Sequence, residues 1–407
     1  MVPHPFGTAS RDQVRQMAKQ CADDIAALAC EAGIVATEKA AAARAMTATA
    51  VRASLIEIAH APDFITNINK LYRERRWSDG LPVIPPTLER VEQMLTHTQR
   101  APQEIVARLA PAFGAATVEC IAINAVLAGC DPEYLPVLIA VVEAVARPEF
   151  NLQSIQSTTN PAAVWIIVNG PIARRLGVNG NYNCLGEGAW ANATIGRALR
   201  LILRNAGGAL PGEMDRATQG QPGKYTFCCA ENEEGNPWEP LHVERGYARD
   251  RSTVTVVGAE GTMNMTTLAK SADDLLRVIA GTLSHPPSNE YVHGGEPWLV
   301  LSPEHAGILH DAGLTKTEVK RRLWEQSKMK AGSMAAEDLG RTQASRTAEL
   351  GTIGPDTWLT IAHRPDEISI IVAGGPGTHS VYIPCFGNTR SATREVVCEA
   401  TPQGMAL

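Results

Sequence analysis

The 407-residue chain lacks the charge imbalance that marks a nucleic-acid binder: 37 Lys and Arg stand against 43 Asp and Glu, a formal net charge of −6. No basic stripe is interleaved with aromatic residues, so no nucleic-acid partner is expected. Long apolar runs are missing as well. The most apolar stretch, residues 120–146, is broken by Asp131, Pro132 and Glu133 short of the ~20 residues that cross a bilayer, and no membrane span is expected. The opening MVPHPFGTASRDQVRQ has no basic segment leading into an apolar run, which reads as no export signal and a cytoplasmic location. CxxC pairs and zinc-finger spacings are absent. The nine cysteines are odd in number and scattered through apolar runs, which argues for reduced thiols and against a disulfide framework or structural zinc site.

What is present reads as α/β. Residues from Arg11 to His60 are alanine-rich and nearly free of glycine and proline, a composition that favours a helical arm. Alanine faces bury little area each, so the arm is expected to pack on the body or on a second copy, making a homo-oligomer. The turn and prolines of DGLPVIPPT, from Asp79 to Thr87, mark an entrance to the main body. A helix over Thr117–Leu127 should end at Gly129, and the next, Glu133–Ala146, is apolar nearly all round and hence buried. Two stretches then share a plan. Val164–Gly177 and Pro297–Gly313 each read as a buried strand turning into a helix opened by Pro171 or Pro303, followed by a threonine-started helix at Thr194 or Thr315. Thr315 and Glu318 have capping-box spacing. VTVVGAEG and IIVAGGPG each end a strand in a Gly-x-x-Gly turn, at Gly258–Gly261 and Gly374–Gly377. The expectation is an α/β fold of two related strand–helix halves by internal duplication, with an N-terminal helical arm: 1–78, 79–264 and 265–407. The cleft should lie between the halves, floored by the two glycine turns.

Chemistry-bearing residues concentrate in GQPGKYTFCCAENEEGNPWEPLHVE, from Gly220 to Glu244. Cys228 and Cys229 sit where an apolar strand meets a polar turn, and strand alternation lets at most one of them face a cleft. A reactive thiolate needs nearby positive charge, for which Lys224 and His242 are candidates. Glu231, Glu233 and Glu234 can ligate a divalent metal or act as acid and base; a solvated loop is the plainer reading. His242 and Glu244 would share one face of an extended segment. In GGPGTHS the backbone of Gly374, Gly375 and Gly377 can cradle an anion, with His379 and Ser380 beside it and Cys385 and Arg390 close behind. The pattern Gly186-x-Gly188-x-x-Ala191 lacks a preceding strand and a later acidic residue, so no NAD is expected. Asn192 and Thr194 remain a candidate anion site at a helix start. His305 and His310, five apart, do not make a metal pair on one helix face.

DGLPVIPPT, TIGRALRLILR, RATQGQPGKYTF with its CCAENEE continuation, LSPEHA with TEVKRRLWE, and IIVAGGPGTHSVYIP together resemble the bacterial UGSC (seleno)protein family. The resemblance runs from about Ser78 to Arg394. It implies a small partner domain bearing a selenocysteine-Gly-Ser-Cys motif; no Gly-Ser-Cys occurs here, so this chain would be the larger component. A thiol or selenol redox protein is therefore the implied partner, with no reaction supplied.

The leading expectation is an enzyme acting on a small anionic metabolite in the interdomain cleft by thiol-based redox or C–S chemistry. Its catalytic candidates are His379, Cys229, Cys385, Glu231 and Cys228. Substrate would be held by Gly374, Gly375, Gly377, Ser380, Arg390, Gly258, Gly261, Asn192, Thr194 and Lys224. One alternative is a metal-dependent lyase or hydratase, its divalent ion drawn from His293, His379, Cys385 and Glu231. The other is a non-catalytic substrate-binding subunit of a redox complex.

Overall fold

The computed structural model describes residues 63–286 and 288–397, together with residue 16, so most of the expected arm over 1–78 lies outside the described residues. The final part of that range is a helix, Phe64–Glu74, capped by Asp63, whose carboxylate accepts the Thr66 N–H at 3.1 Å.

Among the described residues twelve strands follow: β1 Ile105–Leu109, β2 Gly114–Thr117, β3 Ala163–Asn169, β4 Cys228–Ala230, β5 Thr253–Ala259 and β6 Met263–Thr266; then β7 Trp298–Leu301, β8 Lys328–Lys330, β9 Trp358–Thr360, β10 Ser369–Val372, β11 His379–Ile383 and β12 Ala392–Glu395. Four of them form two antiparallel pairs, β1 with β2 and β8 with β9. The rest form two mixed four-stranded sheets, β12-β5-β3-β4 and β10-β7-β11-β6.

Strand alternation fixes the layers. In β3, Ile166 and Val168 face the helices Val118–Ala128, Leu135–Val145 and Trp190–Asn205, while Trp165 and Ile167 face the other way. In β7, Leu299 and Leu301 face the helices Ala272–Leu283, Pro303–Asp311 and Lys316–Gln326, while Trp298 and Val300 turn inward. The two inner faces meet in one apolar layer in which Trp165 stands edge-on to Trp298 at 5.6 Å. The order is helix, sheet, sheet, helix. Among the described residues, no helix is long and apolar enough to cross a membrane.

Read from the parallel edge, both sheets run the same way: β4 parallel to β3, then β5 and β12 antiparallel; β10 parallel to β7, then β11 and β6 antiparallel. The fourth strands are exchanged. After β5 the chain passes into the second sheet as β6, and after β11 it passes into the first as β12. The two passing segments pair antiparallel at Ala259 and Cys385, where the Glu260 N–H donates to the Pro384 carbonyl and the Phe386 N–H to the Gly258 carbonyl, both at 2.8 Å.

This crossing corrects three expectations. The boundary at 264/265 falls inside β6, and residues 63 onward belong to one compact unit, so 79–264 and 265–407 are not separate domains. The space between the sheets is a closed core of Trp165, Trp298, Ile167 and Ile371, with no interdomain cleft in it. The glycine segments are not equivalent either. Gly258 lies inside β5, where a Cβ would come within 2.9 Å of the Ile155 side chain, and the chain runs straight on; Gly374, at φ +96°, makes a true bend after β10.

Local signals held elsewhere. Thr117 caps the helix Val118–Ala128 by accepting the Cys120 N–H at 3.1 Å, and Gly129 ends it in the left-handed conformation at φ +90°. Only half of the capping box formed. Thr315 accepts the Glu318 N–H at 3.2 Å, while the Glu318 carboxylate turns to Arg321 and Arg322. The helix after Gly188 starts at Trp190, not Thr194, and His242 with Glu244 lies in a helical turn, Leu241–Glu244, not on an extended segment.

Gly170 joins β3 to the helix Pro171–Arg175 at φ +81°, and a Cβ there would stand 2.2 Å from the Arg251 carbonyl oxygen. Gly313 has nearly the same φ, +80°, with open space around it. Gly313→Ala should therefore cost about 1–2 kcal/mol from backbone strain alone. Gly170→Ala should cost about 3 kcal/mol or more, because strain and clash add. Urea denaturation of the two variants checks the ordering; equal losses would mean that the close approach at Gly170 is not real.

Candidate functional site

The carboxyl ends of β3, β4 and β10 converge on one point, the position at which α/β sheets gather loops and backbone donors. β4 is only three residues long because its chain leaves the first sheet at once. The Glu231 N–H still reaches the Val168 carbonyl at 3.3 Å, but the Asn232 N–H donates to the Val372 carbonyl of β10 at 2.8 Å. The Asn232 amide donates to the Gly374 carbonyl at 3.2 Å. One edge of each sheet is thereby stitched to the other.

The segment 178–188, VNGNYNCLGEG, closes over this junction. The Gly374 N–H donates to the Gly180 carbonyl at 2.9 Å, and the Ala230 N–H to the Asn179 carbonyl at 3.1 Å. Gly180 is required, since a Cβ would sit 2.7 Å from the Ala230 oxygen. Asn192, buried in the first turn of its helix, accepts the Asn179 N–H at 2.7 Å and donates to the Asn179 and Cys184 carbonyls at 2.9 and 3.0 Å. One amide thus fixes both sides of the loop.

That loop brings Cys184 to Cys229. The two side chains lie close enough for each thiol to influence the other's ionisation. The Cys184 thiol is held below its ordinary range by Cys229, against the cost of burial, with help from the N–H groups of Cys184, Gly374 and Leu185. Two of those donors are shared, Cys184 with the Asn181 carbonyl and Gly374 with that of Gly180. Cys229 moves the other way. Its thiol is raised well above the ordinary range by the neighbouring Cys184 and by full burial. Cys184 is 5% exposed, and Tyr182, two residues before it in the same loop, is exposed.

A polar cluster adjoins the pair. Glu231 is buried and accepts three donors: Asn169 Nδ2 at 2.6 Å, Asn236 Nδ2 at 2.8 Å and the Leu241 N–H at 2.8 Å. Burial nonetheless pushes its carboxyl up to about 7, opposed by the Lys316 charge and these donors. Glu233 accepts the Gly170 N–H at 2.7 Å and lies 3.7 Å from Nδ1 of His242, a fully buried ring nitrogen without a hydrogen-bond partner.

Of the residues expected from sequence, Cys229, Glu231, Asn192, Gly374 and Gly375 meet at this junction. Gly375 serves there as a floor for Tyr182, whose ring a Cβ would approach to 2.1 Å. The others are elsewhere. Cys228 faces the aliphatic core near Cys130, where burial raises its thiol far above the ordinary range. His379 is exposed at the start of β11, its ring 3.2 Å from the Asn264 amide oxygen, whereas Cys385 is buried two residues beyond the other end of that strand, whose four steps alone span about 13 Å at ~3.3 Å per residue. His379 therefore does not reach Cys385. Ser380 is buried and locked by the Ser302 N–H at 3.1 Å and His305 Nδ1 at 2.8 Å, and the Gly377 carbonyl accepts the Ser302 hydroxyl at 2.7 Å, all to fasten a helix start. Arg390 pairs with Glu367 at 3.4 Å. Gly261 follows β5 in open space, Thr194 bonds its own helix at the Trp190 carbonyl, and Lys224 binds Asp215. His293 contacts Ser345 at 2.8 Å. The four metal candidates are thus scattered, and among the described residues no group of three or more His, Cys, Asp and Glu side chains is placed to hold a metal ion.

Cys184 was missed in the sequence because NGNYNC reads as a polar turn. The available signal was a glycine- and asparagine-rich loop after a buried strand, carrying a cysteine outside any apolar run. Comparison with known proteins gives no match: no family model, curated protein or solved structure corresponds to the chain.

With the Glu231 carboxyl at about 7 in the fold against 4.5 when free, the folded protein keeps a proton that the unfolded chain has lost between those pH values. Stability contributed by this group therefore falls as pH rises from about 4.5 to 7, by up to about 3 kcal/mol. Glu231→Gln should remove that part of the slope. Denaturation midpoints of both proteins at pH 5 and pH 8 check it; an unchanged difference would place the Glu231 carboxyl in its ordinary range.

Proposed function

We propose that the chain is a dithiol oxidoreductase built from two related, strand-exchanged halves, with Cys184 as nucleophile and Cys229 as resolving thiol. The observation that carries the reading is the juxtaposition of Cys184 and Cys229 at the junction of β4 and β10, where Cys229 and backbone N–H groups favour a thiolate on Cys184. Support for the duplication is the common order and sense of the two sheets and their reciprocal exchange of the fourth strand.

The Cys184 thiolate attacks one sulfur of a disulfide, or of a selenenyl sulfide, in a small partner; that bond breaks and a thiolate or selenolate leaves. Cys229 then gives its proton to the leaving group and attacks the Cys184 sulfur, releasing the second partner thiol. The partner bond gains two electrons, and Cys184 and Cys229 become a disulfide. The partner is the thiol or selenol protein implied by the resemblance to the UGSC family, and a small anionic metabolite is the final substrate of the pair. Tyr182 and Trp190 are the contacts that flank the entering bond, and displacement of segment 181–188 opens the nearly buried Cys184 to it.

Limited oxidation with a small-molecule disulfide, followed by peptide mass mapping, tests this. The expected product is a Cys184–Cys229 crosslink, lighter by two hydrogens. Cys229→Ser should instead accumulate a stable mixed disulfide at Cys184, and Cys184→Ser, which removes the attacking sulfur, should lower the rate of thiol consumption at least about tenfold. Reaction at other cysteines with these two untouched would overturn the reading and leave a binding subunit without redox chemistry.

A further inference from the structure

Segment 181–188, which carries Cys184, is built as a strap. Six of its eight residues are exposed; the exceptions, Cys184 and Leu185, pack into the inner apolar layer that also holds Cys229 and Trp165. Its hydrogen bonds close largely on itself. The Cys184 N–H donates to the Asn181 carbonyl at 3.0 Å, the Gly186 N–H to the Asn183 carbonyl at 2.9 Å and the Asn183 amide to the Glu187 carbonyl at 2.7 Å. A segment bonded in this way keeps its shape when it moves, so it opens as one unit.

The two ends of the strap differ. Before it, the Gly180 carbonyl is held by the Gly374 N–H at 2.9 Å, and the Asn179 side chain accepts the Asn181 N–H at 2.8 Å and donates to the Tyr182 carbonyl at 2.9 Å. After it, Gly188 lies at φ +110° with open space where a Cβ would stand, which leaves a free joint. Between these ends the strap is fastened by Asn192 and by Tyr182. Asn192 Nδ2 donates to the Cys184 carbonyl at 3.0 Å, and the Tyr182 ring lies on Gly375, where a Cβ would come within 2.1 Å of both Cδ1 and Cε1. Gly375 is outside the left-handed region, so its own backbone does not call for glycine. The ring above it does, although that ring is 66% exposed and adds little to the core.

We propose that residues 181–188 form a hinged strap, latched by Tyr182 on its Gly375 seat, and that releasing this latch exposes Cys184. Lifting turns the strap about Gly188 and draws Cys184 and Leu185 out of the inner layer, away from Cys229. The six exposed residues oppose the motion little, since they give up little buried area. The strap governs access to Cys184 whatever that thiol does; its part in turnover rests on the dithiol reading, in which it must lift before the partner bond is attacked.

Labelling of the whole folded chain with iodoacetamide, read by peptide mass mapping, tests this. Gly375→Ala, which denies the ring its seat, and Tyr182→Ala, which removes the ring, should each speed labelling at Cys184 roughly fivefold or more, with labelling at the core thiol Cys228 unchanged. The double variant should label no faster than Tyr182→Ala alone, because Gly375 acts only through the ring. Tyr182 is exposed, so Tyr182→Ala keeps the test valid if Gly375→Ala fails to fold. Unchanged labelling of Cys184 in either folded variant, acceleration shared equally by Cys228, or a double variant as fast as the product of the two single effects would overturn the strap. Rapid labelling of Cys184 in these variants with no Cys184–Cys229 crosslink on oxidation would uphold the strap and overturn the dithiol reading.

Discussion

The crossing of residues 253–266 with residues 379–395 is the constraint on which the rest depends. Each sheet takes its fourth strand from the segment that has just left the other, so neither sheet can be completed by a contiguous stretch of chain. The crossing point is held by buried polar contacts. Glu290 accepts the Cys385 N–H at 3.0 Å, the Ser288 hydroxyl at 2.7 Å and the Tyr382 hydroxyl, while Asn289 donates to Glu260. A carboxyl this deep is tolerable only when such donors compensate for lost water. Arg245 closes one edge of the inner layer, its guanidinium 5.4 Å above the Trp298 ring and bonded to Glu296 and Ser391.

Locking two sheets face to face decides where the site can be. The inner layer excludes water along its whole length, so the expected cleft between halves cannot form there. Only the strand ends remain, and at the β4 and β10 ends the sheets are near enough for Asn232 to bond both Val372 and Gly374. A loop from the first half then needs only Asn192 and two backbone bonds to settle on this junction. The thiol pair is a consequence of that settling. Cys229 comes from a strand and Cys184 from the loop over it.

Much of the fold was legible because its signals are local. The stop at Gly129, the helix starts at Pro171 and Pro303 and the buried helices all followed from near-neighbour chemistry, and so did the assignment of α/β. The strand exchange was not legible, since β12 pairs with β5 across more than a hundred residues and nothing in either sequence states the partner. The same holds for the site. His379 in a glycine-rich turn looked suited to proton transfer, but bending at Gly374 and straightening into β11 carry its ring outward to Asn264. Gly258 and Gly374 carry the same sequence mark and have different causes, room for Ile155 in one case and a left-handed bend in the other.

Cys228 and Cys229 show how little a residue type says by itself. They are adjacent, equally buried and on one short strand, yet alternation sends Cys228 among aliphatic side chains, beside Cys130, whose thiol burial pushes up to about 12. At both thiols burial outweighs whatever opposes it, the Thr194 hydroxyl and the Arg197 charge beside Cys130 included, so the neutral form is favoured. Cys229 suffers the same burial but lies beside Cys184, and the interaction of the two thiols lowers Cys184 while raising Cys229. Backbone donors at the mouth then favour Cys184 over Cys229. The difference in surroundings between Cys228 and Cys229 is thus a single step of strand alternation combined with one loop, and only the loop's placement by Asn192 and Gly374 makes that step matter.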